Sequence, residues 1–146
     1  MTWNLLFKKD ISTLDLLHEA LEECLPFFKK RQVILLNGTL GAGKTQSVRI
    51  LAELMGYDVE NIASPTFAIH HSYGPEFQHV DLYRLENEDE LESSGFWDLF
   101  SSPSGLIAVE WPERVNEEHW PQSWNYMVLQ INKKDDSREM LAFSFG

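Results

Sequence analysis

One glycine-rich stretch of the chain has the residue types and the spacing of a phosphate-binding loop. Positions 38–45 read Gly-Thr-Leu-Gly-Ala-Gly-Lys-Thr and fit the pattern G-x-x-x-x-G-K-[ST]. In such a loop the glycines let backbone N–H groups converge on phosphate oxygens, and the N-terminus of the next helix adds partial positive charge. Lys44 would bridge the β- and γ-phosphates of a nucleotide, and the Thr45 hydroxyl would ligate Mg²⁺. The stretch therefore predicts a site for a nucleoside triphosphate with Mg²⁺.

Two acidic residues could complete such a site, one after a short apolar run and the other after His79-Val80. Glu110 comes directly after the run at 106–109 and is the first candidate for the metal-side carboxylate, which stands at the end of a neighbouring buried strand in these folds. Asp81 is the second candidate and would position or deprotonate the attacking water. A hydroxyl that senses the γ-phosphate belongs on a loop between the helix after the phosphate loop and these acids. Thr66 lies there in a Ser-Pro-Thr turn. The alternative for either acid is a salt bridge or a helix cap, and Ser-Pro-Thr is in itself a common loop sequence.

These residues must be positioned by strands and helices, which the apolar pattern predicts. Apolar runs and turn signals favour strands at 3–9, 33–36, 68–73, 78–83, 106–109, 126–131 and 140–145. Helical spacing predicts a helix through Leu14, Leu17, Leu21 and Leu25, capped by Ser12 or Thr13 and ended by Pro26, with a loop at 27–32. A second helix is predicted at 43–55 and a short one at 88–92. Gly74-Pro75 should join the middle strands, and a turn at 133–137 should close a terminal hairpin. The pattern is that of an α/β domain with a mixed sheet.

Composition limits the class of protein. The 146 residues suit one domain over 1–146, and a net charge of −11 argues against nucleic-acid binding as the primary activity. The lone Cys24 can form neither an internal disulfide nor a Cys-rich zinc site. The sequence has no apolar run of membrane-spanning length and no signal-peptide core. We therefore expect a cytoplasmic protein that does not contact a membrane.

Four motifs in order resemble the bacterial TsaE (YjeE) family. They are Gly41-Ala42-Gly43-Lys44-Thr45, Ser64-Pro65-Thr66-Phe67, His79-Val80-Asp81-Leu82-Tyr83-Arg84-Leu85 and Glu110-Trp111-Pro112. The resemblance extends from about Thr13 to Arg138. It implies a P-loop α/β fold with parallel strands flanked by antiparallel ones and helices on both faces. It also implies a Mg²⁺-dependent ATPase needed for threonylcarbamoyladenosine in tRNAs that read codons starting with A. We expect the isolated chain to be slow, because the sequence offers no obvious arginine finger. The implied partners are TsaB and TsaD, with tRNA reached only through their complex.

The resemblance also implies roles for individual residues. Thr45 and Glu110 would hold Mg²⁺, and the catalytic set would be Lys44, Thr66, Asp81 and Glu110. The nucleotide-binding positions would be Asp10, Thr13, Gly38, Gly41, Ala42, Gly43, Lys44, Thr45, Gln46 and Arg138. Two positions depart from the family pattern, since Thr39 stands where Asp is usual and Gln46 where a second Thr is usual.

Other interpretations of the sequence remain open. Positions 132–135 read Asn-Lys-Lys-Asp, which matches the N-K-x-D guanine motif of GTPases but equally suits a hairpin turn. A small-molecule kinase would need an acceptor pocket and an arginine-bearing lid, whereas the five arginines are scattered. His70, His71 and His79 could approach one another across the middle hairpin, yet a metal site there is disfavoured because no Cys or close carboxylate is predicted beside them.

Overall fold

A computed structural model of the chain describes residues 2–60 and 70–146, which build a seven-stranded sheet. The strands are Trp3–Asp10 (β1), Arg31–Asn37 (β2), His70–Gly74 (β3), Phe77–Asp81 (β4), Gly105–Glu110 (β5), Asn125–Lys134 (β6) and Ser137–Phe145 (β7). The helices are Leu14–Cys24 (α1), Lys44–Leu54 (α2) and Asp89–Ser94 (α3). Short 3₁₀ segments cover Leu25–Phe27, Phe96–Ser101, Pro112–Arg114 and Glu117–His119. None of the helices within these ranges has the length and apolar character needed to cross a membrane.

The strand order is β1-β7-β6-β2-β5-β4-β3, with the parallel strands at the centre. β6, β2, β5 and β4 run parallel, so their carboxyl ends meet at one edge of the sheet. β3 pairs antiparallel with β4, and β7 pairs antiparallel with both β6 and β1. This confirms the predicted mixed sheet in which antiparallel strands flank parallel ones.

The sheet is covered on both faces, as predicted. α1 and α2 pack on one face over a core that includes Leu21, Leu36 and Leu51. α3 and the 3₁₀ segment Phe96–Ser101 contribute to a second core on the other face. Because β2 is buried on both sides, its residues 33–36 form the continuous apolar run seen in the sequence.

Two predictions for the first third of the chain need correction. The expected loop at 27–32 is shorter, since β2 begins at Arg31 and the buried Gln32 already belongs to it. The side-chain amide of Gln32 donates to backbone carbonyls, which lets a polar residue lie inside the strand. Leu14 was expected on the buried face of α1, but it is 55% exposed at the first position of the helix. The sequence offered Ser12 or Thr13 as the N-cap of α1, and in the structure Thr13 is the cap.

The middle and terminal hairpins also differ in their bounds. β4 runs Phe77–Asp81 rather than 78–83, because Asp81 Oδ1 accepts a hydrogen bond from Tyr83 N at 3.0 Å and turns the chain out of the sheet. The start of the predicted strand at 68–73 lies outside the described residues, which resume in β3. The terminal turn is tighter than 133–137, since Lys134 already pairs with Ser137.

Candidate functional site

The glycine-rich stretch forms a loop between the carboxyl end of β2 and the N-terminus of α2. Its sharp course depends on Gly43, whose φ of 113° is one that side chains rarely adopt. Gly38 is required for a different reason, because a Cβ there would lie 2.9 Å from the carbonyl oxygen of Ile131. Ala42 N donates to Thr39 O at 3.0 Å, and the Ala42 side chain is buried. The loop thus brings its backbone to the edge where the parallel strands end.

Lys44 lies at the first position of α2 with its ammonium turned back over the loop. Its Nζ donates to the carbonyl oxygen of Gly38 at 2.7 Å and lies 3.4 Å from the centroid of the Trp111 ring. Lys44 is only 4% exposed, so both contacts are shielded from bulk water. The Trp111 ring and the Gly38 carbonyl are therefore the partners of the ammonium in the place that phosphate oxygens would take.

Burial and nearby charges act in opposite directions on this ammonium. Burial lowers the pKa of Lys44 below its ordinary value, and the carboxylates of Glu110, Glu113 and Asp81 raise it in part. The same three carboxylates make the surroundings of Lys44 acidic.

Thr45 and Glu110 meet across the edge of the sheet. The Thr45 hydroxyl lies 2.9 Å from both carboxylate oxygens of Glu110. Glu110, the last residue of β5, is 3% exposed, and its Oε2 also lies 2.6 Å from His79 Nε2. A hydroxyl and a carboxylate at a helix N-terminus are oxygen ligands of the kind that Mg²⁺ accepts together with phosphates and water. The donor set therefore fits the predicted metal.

Asp81 ends β4 directly beside Glu110. The two residues are paired in the parallel register of β4 and β5, so their side chains leave the same edge of the sheet. Asp81 is half-buried, and one carboxylate oxygen accepts from the backbone of Tyr83. Tyr83 in turn packs its ring 5.0 Å from that of Trp111.

Asp10, Thr13 and Arg138 lie together beside the loop. Arg138 Nη1 donates to the carbonyl oxygen of Ala42 at 3.3 Å, and Arg138 N donates to Ser12 Oγ at 3.0 Å. Asp10 accepts from both the hydroxyl and the backbone N–H of Ser12, which lowers the pKa of Asp10. Thr13 Oγ1 caps α1 by accepting from Leu16 N. The terminal hairpin thereby joins residues distant in sequence beside the phosphate loop.

Three further positions of interest lie on the surface of the loop and of α2. Gly41 and Gln46 are exposed on the loop and on the first turn of α2, and Thr39 is exposed near the start of the loop. Thr66 lies outside the described residues. Positions 132–135 form the end of β6 and the start of a hairpin turn, as the turn interpretation predicted.

His79 is the residue whose position the sequence did not reveal. The sequence placed it in the family motif at 79–85 and in a group of histidines, without a contact to Glu110. No group of three or more His, Cys, Asp or Glu suited to a metal occurs in residues 2–60 and 70–146. Its actual partner is Glu110. The available signal was the alternation of Phe77, His79 and Asp81, which places every second residue of β4 on the same face.

Comparisons with known proteins identify a family and several relatives. Residues 11–140 match the family described as threonylcarbamoyl adenosine biosynthesis protein TsaE. The chain is 39% identical over 114 residues to the tRNA threonylcarbamoyladenosine biosynthesis protein TsaE of a Synechocystis strain, covering 75% of this chain and 70% of that protein. Identity to the protein of the same name from Haemophilus influenzae is 38% over 115 residues, covering 77% of this chain and 70% of that protein.

A crystal structure resembles the whole chain. YdiB of Bacillus subtilis superposes with a TM-score of 0.66 at 26% identity and covers 100% of this chain and 89% of its own. The profile match spans most of the sequence, and the relatives are well above 30% identical. The chain therefore belongs to the TsaE family of threonylcarbamoyladenosine biosynthesis proteins.

Proposed function

We propose that this chain is a Mg²⁺-dependent ATPase acting in threonylcarbamoyladenosine formation on tRNA. In this proposal one P-loop domain over 1–146 works in the cytoplasm with TsaB and TsaD, and it reaches tRNA only through them. The observation that carries the proposal is the 2.9 Å approach of the Thr45 hydroxyl to both oxygens of Glu110 at the N-terminus of α2. A phosphate loop with a hydroxyl and a carboxylate in this relation is the arrangement of nucleotide-hydrolysing P-loop proteins.

The loop would bind the phosphates of ATP through its backbone N–H groups. Gly41, Ala42 and Gly43 would supply these groups, and Lys44 would exchange the Gly38 carbonyl and the Trp111 ring for phosphate oxygens. Gly38 would let the loop pass close to β6. Because the phosphates are anions, they replace a carbonyl dipole and a ring face as partners of a poorly hydrated ammonium. Nucleotide binding is thus expected to release Trp111 from Lys44.

A second group of residues would bind the rest of the nucleotide. Arg138 already reaches the loop carbonyl at Ala42, and its guanidinium could extend to a phosphate. Asp10 and Thr13 sit beside it, and Gln46 lies on the first exposed turn of α2. These assignments follow the family resemblance and the proximity of the terminal hairpin to the loop.

Hydrolysis would depend on the acids at the ends of β4 and β5. Thr45 and Glu110 would hold Mg²⁺, which when bound neutralises charge that develops on the phosphate oxygens. Asp81, level with Glu110, would orient the attacking water and accept its proton. Thr66 would sense the γ-phosphate. Loss of the γ-phosphate would then change the segment at 64–67 and the contact with TsaB and TsaD. Turnover by the isolated chain is expected to be slow, with a partner completing the site.

Comparing ATP and GTP hydrolysis with and without candidate acceptors tests the proposed reaction. We expect Mg²⁺-dependent phosphate release from ATP without any acceptor. ATP consumption that requires a sugar or nucleoside acceptor, with the γ-phosphoryl group transferred to that acceptor and ADP formed, would instead identify a kinase. Preference for GTP would identify a GTPase-like switch. Either result would overturn the proposal.

A pull-down with TsaB and TsaD tests the proposed partnership. The experiment is run with ATP, with ADP and without nucleotide, and we expect capture that depends on the nucleotide state. Absence of capture under all three conditions would overturn the partnership while leaving ATP hydrolysis to be judged on its own assay.

A further inference from the structure

His79 forms a close contact with the carboxylate of Glu110. Nε2 of His79 lies 2.6 Å from Oε2 of Glu110, and the two side chains are 4% and 3% exposed. A contact of this length between two buried polar groups is a strong hydrogen bond that solvent does not compete for. It is also distinct from the contact that Thr45 makes, since the Thr45 hydroxyl approaches both oxygens.

The sheet register explains how His79 reaches Glu110. His79 on β4 is level with Ala108 on β5, and Glu110 follows two residues later on the same face. The imidazole is held from the other side by β3, where the rings of His71 and Tyr73 stack on it at 5.7 and 6.2 Å. The side chain is therefore fixed between a strand pair and an aromatic stack.

The direction of the hydrogen bond follows from chemistry. A carboxylate only accepts, so Nε2 of His79 carries the hydrogen and donates it to Oε2. The Thr45 hydroxyl has a single proton to offer and lone pairs that suit a metal ion. If Thr45 binds a metal, its hydroxyl turns a lone pair to the ion. Among the described side chains, His79 is then the donor that stays on Glu110.

We propose that His79 is a positioning residue that fixes the carboxylate of Glu110 for Mg²⁺. The inference rests on the proposed function, in which Glu110 is a metal ligand. Hydrogen bonds to a ligating carboxylate orient it and tune it, and their loss typically lowers metal affinity by about 10- to 100-fold. His79 binds Oε2 and leaves Oε1 with Thr45 as its side-chain partner in the described part of the chain, while the Thr45 hydroxyl lies 2.9 Å from both oxygens.

Mn²⁺ binding to the complex of the full chain with ADP provides the test, since Mn²⁺ substitutes for Mg²⁺ and its free form is counted by electron paramagnetic resonance. For His79→Leu we expect Mn²⁺ affinity to fall by about 10- to 100-fold. His79→Gln places an amide nitrogen near the position of Nε2, so it should restore most of the affinity. His79→Asn is too short to reach Oε2 and should behave like His79→Leu.

Two controls separate positioning from packing. His71→Leu removes an imidazole from the same stack without removing a hydrogen bond to Glu110, and it should keep native Mn²⁺ affinity. Binding of ADP in the presence of EDTA reports the metal-free site, and it should be unchanged in every His79 variant. In a Glu110→Gln background, His79→Leu should cause no further loss of Mn²⁺ affinity.

Several outcomes would overturn the inference. Native Mn²⁺ affinity in His79→Leu would do so, as would equal losses in His79→Leu and His71→Leu. If His79→Leu does not fold, native affinity in folded His79→Asn would have the same meaning. Failure of the native chain to bind ADP or Mn²⁺ at all would instead overturn the proposed function, and this inference with it.

Discussion

Glu110 accepts hydrogen bonds from two side chains that lie far from each other in the sequence. Thr45 comes from the first turn of α2, and His79 comes from the strand next to β5. A buried carboxylate without such partners is costly, by roughly 1–3 kcal/mol or more for each unsatisfied group. The two donors therefore let a charge remain at the end of an otherwise apolar strand.

Replacing Glu110 with Gln tests the importance of that charge. The Gln side chain keeps the size and can still accept from His79, so Glu110→Gln should fold. Loss of the negative charge should lower Mg²⁺-dependent ATP hydrolysis by about 10- to 100-fold, the equivalent of one charge-assisted contact. Steady-state phosphate release measures the effect, with the exposed Glu117→Gln as the matched control. Unchanged hydrolysis in Glu110→Gln would remove Glu110 from the site.

Replacing Lys44 with Ala tests the phosphate contact. Hydrogen bonds to charged groups contribute roughly 1.5–3 kcal/mol each, so Lys44→Ala should weaken nucleotide binding by about 10- to 100-fold or more. Calorimetric titration with ADP measures the change. Lys30→Ala removes an exposed lysine before β2 and should bind ADP as the native chain does. Equal affinities for all three proteins would contradict the assignment.

At the scale of elements, α1 contributes to the face of the sheet on which the phosphate loop opens. It buries Leu17, Ala20, Leu21 and Cys24 in the same core as α2 and residues of β2. Thr13 caps this helix, and Ser12 before it contacts Arg138 of the terminal hairpin. Packing of α1 therefore also positions the segment at 10–13 beside the loop.

The thiol of Cys24 reports on that packing. Burial raises the pKa of Cys24 from 9.0 to about 12, so the folded chain keeps the proton where the unfolded chain loses it. The contribution of this thiol to the free energy of unfolding is complete below pH 9. It decreases as the pH rises towards 12, by up to about 1.4 kcal/mol per pH unit. Urea unfolding at pH 8 and pH 10 should therefore show a larger fall for the native chain than for Cys24→Ala. Equal falls would contradict burial of the thiol in α1.

At the scale of the whole molecule, the net charge of −11 bears on the proposal that the chain reaches tRNA only through its partners. A protein that binds the phosphate backbone of a nucleic acid needs several Lys or Arg side chains on one surface. Here 23 acidic residues outnumber 12 basic ones, and Lys44 and Arg138 face the loop. The charge balance therefore supports the proposed contact with tRNA through partner proteins.

The isolated chain is accordingly expected not to bind tRNA at physiological salt, with or without ATP. Fluorescence anisotropy of labelled tRNA measures this directly, with the complex of TsaB, TsaD and this chain as the comparison. Binding by the chain alone that weakens steeply with added salt would show a phosphate-binding surface and contradict the indirect contact.

Much of the architecture could be predicted because its signals are local. The apolar run at 33–36, the glycine-rich loop and the helical spacing after Thr13 each depend on neighbouring residues, and the structure confirms an α/β fold with a mixed sheet. The bounds were less accurate. Strand ends at Asp81 and Arg31 depend on a side-chain turn and on where the core closes, which a short window of sequence does not contain.

The sequence by itself determined the family and the composition of the phosphate loop, since both are carried by residue types at fixed spacing. Only the tertiary structure decided which side chains touch Glu110. The parallel pairing of β4 with β5 and the start of α2 at Lys44 bring His79 and Thr45 to one carboxylate across 31 and 65 residues of sequence. Contacts of that kind come from strand order and register, which arise when the whole sheet is assembled and both its faces are buried.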